Sequence, residues 1–89
     1  MPEVDLSSQI PHNARWIKVR YEMTPLKEGA TLISRVWSGS LDDAVVIKGE
    51  SGEAFVRLDV PQKLWYQRPV TLNLKLKVVA YKVVDQEEK

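Results

Sequence analysis

Apolar and polar side chains alternate without a break from Val70 to Val78. Val70, Leu72, Leu74, Leu76 and Val78 fall on one side, and Thr71, Asn73, Lys75 and Lys77 on the other. Successive side chains of a strand point to opposite faces, so this run predicts a half-buried β-strand. At Val78-Val79 the alternation loses phase, and the apolar set resumes as Val79, Tyr81 and Val83. At ~3.3 Å per residue, the stretch 70–84 would extend for roughly 50 Å. A strand of that length in a small domain has to bend. The slip marks either a bulge that lets both halves bury their apolar faces or the point where the second half leaves to pair with another chain.

The same period of two recurs upstream. In 15–23, Ile17, Val19, Tyr21 and Met23 oppose Trp16, Lys18, Arg20 and Glu22. Pro25 to Gly29 then supplies a turn, and 30–37 is a second strand rich in β-branched and aromatic residues. Ser38 to Asp43 reads as a loop with room for one helical turn. The sequence AVVIK, then Gly49-Glu50-Ser51-Gly52, then EAFVRLDV reads as a hairpin with glycines at both shoulders of its tip. Pro61 ends that arm, 62–68 is a short strand or a single helical turn, and Pro69 opens the final strand. No stretch carries helical periodicity over three turns. The prediction is a single all-β domain over 15–85, a small antiparallel barrel or β-sandwich of five to six strands with a long bent C-terminal strand. Residues 1–14, polar and without periodicity, are expected to form a flexible N-terminal arm, and 86–89 an acidic C-terminal tail.

Composition narrows the chemistry more than it identifies it. At 89 residues the chain makes one domain, and 44% hydrophobic residues is ordinary for a globular fold. No cysteine is present, which removes disulfides, thiolate nucleophiles and cysteine-ligated metals and fits a reducing compartment. The N-terminal stretch has acids where a signal peptide needs bases, and no apolar run approaches the roughly 18–20 residues of a membrane-spanning helix. These features lead us to expect a soluble, cytoplasmic protein without a membrane partner. The net charge of +1 hides a division: Glu3 and Asp5 make the start acidic, Asp85, Glu87 and Glu88 make the end acidic, and 15–82 holds twelve Lys or Arg against seven Asp or Glu.

Groups able to carry catalysis are few. The single histidine, His12, lies in the expected arm, where packing would fix neither its geometry nor its pKa. It has no His or Cys neighbour at a metal-ligand spacing. Asp42-Asp43 and the pair Glu50 and Glu53 sit beside turns without the spacing of a calcium loop. Each of the four glycines is accounted for by a turn, and no serine has a histidine to activate it. The expectation is a protein that is not an enzyme and holds neither a metal nor another cofactor.

Surface recognition remains. Two aromatic clusters stand next to turns, Trp37 and Trp65-Tyr66 with Arg68, residue types over-represented at binding hot spots. They point to a non-catalytic protein–protein interaction or assembly module, binding another protein or itself as a homodimer through strand edges. The alternative comes from strand parity. If the strands holding Trp16, Lys18 and Arg20, Phe55 and Arg57, and Lys75 and Lys77 are neighbours, one sheet face combines two rings with five cations. Single-stranded nucleic acid is bound by such surfaces, rings stacking on bases while cations follow phosphates. Glu22 and Asp59 would interrupt that face. Whether Trp16 and Phe55 lie in the open or beneath a second layer separates the two readings.

Overall fold

The computed structural model of the protein describes residues 2–84. Its strands are β1 (Glu3–Asp5), β2 (Ala14–Pro25), β3 (Ile33–Trp37), β4 (Val45–Lys48), β5 (Ser51–Arg57), β6 (Lys63–Gln67) and β7 (Leu72–Val83). The one helical piece among them is a 3-10 turn, Leu41–Asp43, whose start is capped by Ser40 Oγ accepting from the Asp42 N–H at 3.1 Å. All pairings are antiparallel and form two sheets, in the order β1-β6-β3-β4 and β5-β2-β7. The all-β reading therefore holds, with seven strands where five to six were expected.

The additional strand comes from the segment expected to be a flexible arm. Glu3, Val4 and Asp5 pair with Trp65, Leu64 and Lys63 of β6, and Leu6, Ile10 and Ala14 are buried. Tight turns, not a regular period, bring these apolar residues inward: the N–H groups of Gln9 and Ile10 both donate to Leu6 O, and Ala14 N–H donates to Pro11 O. Gln62, in the left-handed region at φ 59°, holds the segment from the other side. Its carbonyl accepts from Leu6 N–H at 2.8 Å and its amide Nε2 donates to Ile10 O at 3.0 Å. Such turn-built burial leaves no periodic trace. The expected acidic tail, 86–89, lies outside the described residues.

The expected hairpin over 44–60 is also different. β4 and β5 lie in different sheets, joined by a corner at Gly49-Glu50 where Gly49 takes φ 90°. The corner is held by Gly49 N–H to Leu32 O and Met23 N–H to Glu50 O. Crossing between layers lets Ile47 of β4 and Val56 of β5 both reach the core, which outweighs a local ladder between them. Gly52 falls inside β5 and is not a turn residue. The segment 62–68, left open between strand and helix, is the strand β6.

One core lies between the sheets. Ile17, Val19, Tyr21 and Met23 of β2, Val56, Leu58 and Leu72 pack with Val36, Ile47, Leu64, Leu6 and Ile10. The four residues of β2, with Val56, Leu58 and Leu72, keep the inward parities that the alternation indicates. The phase slip in β7 is a register shift: Lys18 pairs with Ala80 and Val19 with Val78, leaving Val79 without a partner. A second shift, at Arg15, separates Ala14↔Val83 from Trp16↔Lys82. The apolar side chains of β7 up to Val78 pack against the core, whereas every described residue from Val79 onward is exposed. The second half of β7 thus stays paired to β2 without burying its apolar residues.

Candidate functional site

Registers place the outward residues of β5-β2-β7 in ordered rows. Arg57, Trp16 and Lys82 form one row; Phe55, Lys18 and Ala80 the next; then Glu53, Arg20 and Lys77; then Ser51, Glu22 and Lys75. Successive rows are about 6.6 Å apart, two residues of strand rise. The three strands are neighbours, as the face requires, and no layer among the described residues covers it: Trp16 is 45% exposed and Phe55 63%. The two rings are diagonal neighbours across β2 and β5, within reach of one another's edges.

Two open troughs run along this face. One, of about 390 Å³, is lined by Trp16, Lys18, Phe55, Ala80 and Lys82, together with Ile17 and Tyr81. The other, of about 610 Å³, is lined by Arg20, Glu22, Lys75, Leu76 and Lys77. The small side chain of Ala80 leaves room beside Lys18 for the first of them. Lys18 Nζ also lies 5.4 Å from the Phe55 ring centroid, a cation–π contact that orders the ring and the ammonium together.

The charges on the face are uneven. Glu53 bridges two cations: its Oε2 accepts from Arg20 Nη2 at 2.8 Å and its Oε1 is 3.6 Å from Lys18 Nζ. The Arg20 hydrogen bond holds the Glu53 carboxyl below the usual carboxylate range, against a smaller opposing effect of desolvation. Arg57 Nε is 3.2 Å from Asp59 Oδ1. Among the described residues no carboxylate lies within 4.0 Å of the ammonium groups of Lys75, Lys77 or Lys82. Lys82 is the cation that parity reasoning leaves out of the face. The slip at Val78-Val79 was the available signal, because it turns odd positions outward before it and even positions outward after it.

The other expected cluster does not assemble as one open site. Trp37 and Trp65 are register partners, but Trp37 is only 5% exposed. Tyr66 lies on the opposite face, packed against the core, and pairs with the buried Val36. Arg68 is committed to its own turn, donating from Nη1 to Leu72 O at 2.8 Å and to Pro69 O at 3.3 Å. His12 is exposed in the turn before β2. Among the described residues no three His, Asp or Glu side chains come together as a metal-binding group, and no helix is long and apolar enough to cross a membrane.

Fold and face together define a small all-β domain presenting an uncovered, basic sheet surface that carries two exposed rings. No protein family, curated protein or solved structure matches the chain.

Proposed function

We propose that the protein binds single-stranded nucleic acid across the outer face of β5-β2-β7. The observation that carries this reading is the exposure of Trp16 and Phe55 on one uncovered face with Lys18, Arg20, Arg57, Lys75, Lys77 and Lys82. Rings in the open offer stacking platforms to unpaired bases, and the cations along β2 and β7 offer a path for phosphates. A second sheet over these residues would have supported a purely assembling role. The cluster of Trp37, Trp65, Tyr66 and Arg68 gives that role less support, since Trp37 and Tyr66 are occupied in packing. We read the two sheets as an open sandwich, a reading supported by their separate ladders, with the free outer face of the smaller sheet as the binding surface.

Tryptophan fluorescence tests the proposal. A single-stranded oligonucleotide added at low salt is expected to quench emission, mostly from Trp16, because Trp37 is buried and Trp65 half-buried. The Trp16→Phe variant loses that quench, and affinity falls as salt rises, with a slope of about −0.7 per phosphate neutralised. Wild-type protein that neither quenches nor shifts in an electrophoretic assay at low salt would overturn the reading.

A further inference from the structure

We propose that the outer face of β5-β2-β7 takes a segment of four unpaired nucleotides whatever its sequence, with phosphates along β7 and bases over Ala80 towards Trp16 and Phe55. This rests on the nucleic-acid reading and adds the length, placement and sequence tolerance of the bound segment. The three strands divide by chemistry. The outward column of β7 runs Lys82, Ala80, Lys77 and Lys75, the unpaired Val79 bringing both halves of the strand onto one face. Its three lysines have no carboxylate within 4.0 Å among the described residues. Cations on the other two strands are engaged, Lys18 and Arg20 by Glu53 and Arg57 by Asp59. Among the described residues the open cations of the face therefore lie on β7.

An extended nucleotide advances by about one row of the sheet, ~6.6 Å. The four rows from Lys82 to Lys75 thus hold four nucleotides, with a lysine for the phosphate of every row except that of Ala80. Past Lys75 the next outward residue of β7 is Asn73, which carries no charge. Ala80 marks where the bases lie. It is the short side chain of the column, and the trough over it is lined by Trp16, Phe55, Lys18 and Lys82. Ala80 is the diagonal neighbour of Trp16 across β2 and β7, within reach of a ring. Among the described residues no Asn, Gln, Asp or Glu lines this trough, the side chains that read adenine and cytosine edges. Rings stack on any base, so the site accepts a strand by its shape and charge.

Oligothymidylates of increasing length test this, with binding read as Trp16 quenching while the protein is limiting. The slope of log affinity against log salt is expected to reach about −2.1, or ~0.7 for each of three phosphates, once a strand carries four phosphates. Longer strands are expected to keep that slope, and a dinucleotide to fall short of it. An oligocytidylate of the same length is expected to bind as the thymidylate does. Ala80→Ile, a β-branched residue at an exposed strand position, fills the trough and is expected to weaken binding without changing the slope. A slope that keeps steepening with length, a marked preference between the two strands, or wild-type binding by Ala80→Ile would each overturn this placement. Those results would leave nucleic-acid binding itself in force, whereas no quenching and no electrophoretic shift with any strand would overturn both.

Discussion

Tyr21 lies across Gly52: a β-carbon built on Gly52 would stand 2.6 Å from Tyr21 Oη and 2.8 Å from its Cζ. The ring has little freedom to move, because Oη donates a 2.9 Å hydrogen bond to Lys48 O at the end of β4. One phenol therefore ties β2 to β5 and to the corner where the chain changes sheets. Gly52→Ala forces either the ring or the strand to shift. It is expected to destabilise the fold by about 1–3 kcal/mol, the usual range for overpacking. Urea unfolding measures it; a variant as stable as the wild type would show that the ring is not confined.

A second clasp joins the end of β3 to the turn before β6. Ser38 Oγ donates to Val60 O and accepts from Val60 N–H, both at 3.1 Å, and the side chain is buried. Ser38→Ala leaves both backbone groups of Val60 without these partners and is expected to cost roughly 1–3 kcal/mol. An unchanged denaturation midpoint would mean that water replaces the hydroxyl.

The Glu53 carboxylate sits between Lys18 and Arg20, the two cations that the proposed function assigns to phosphates. Glu53→Gln removes that internal competitor. Oligonucleotide affinity is expected to rise severalfold and its salt dependence to steepen, read from titrations at several salt concentrations. Equal or weaker binding would show that Glu53 positions the cations instead of competing for them.

The same carboxylate sets a pH dependence of stability. Its pKa in the folded protein is lowered from 4.5, chiefly by the Arg20 hydrogen bond, so folding favours the charged form. The stabilisation it contributes is complete above the ordinary glutamate pKa and is lost as pH falls through the lowered folded-state value. The difference in unfolding midpoint between wild type and Glu53→Gln is therefore expected to shrink on acidification below the usual carboxylate range. A difference that stays constant with pH would remove the charge as its cause.

Rings and cations on the face should fail in distinguishable ways. Phe55→Ala is expected to weaken oligonucleotide binding by the ~1–3 kcal/mol of one stacked base while leaving the salt slope unchanged. Lys75→Ala, distant from both rings, is expected to flatten the slope by about 0.7 with a smaller loss at high salt. Identical salt behaviour of the two variants would argue against this division of labour.

By itself the sequence determined the all-β class and, in the alternating stretches, which side chains share a side of the strand; it recorded neither β1 nor the choice between strand and helix over 62–68. The alternation over 15–23 and 70–78 required only that neighbouring side chains point oppositely, a property of the local backbone. The slip at Val78-Val79 likewise appears as the register shift that leaves Val79 unpaired. Tertiary structure alone decided that β5 flanks β2, that Trp16 and Phe55 share an open face, and that Trp37, on the same side of β3 as the exposed Ile33 and Arg35, is nearly buried. It also decided that the stretch around Leu6 and Ile10 belongs to the core and that β4 and β5 part at Gly49. Those outcomes depend on which distant segments bury the most apolar surface against one another, a competition between residues far apart in the chain that no local period records.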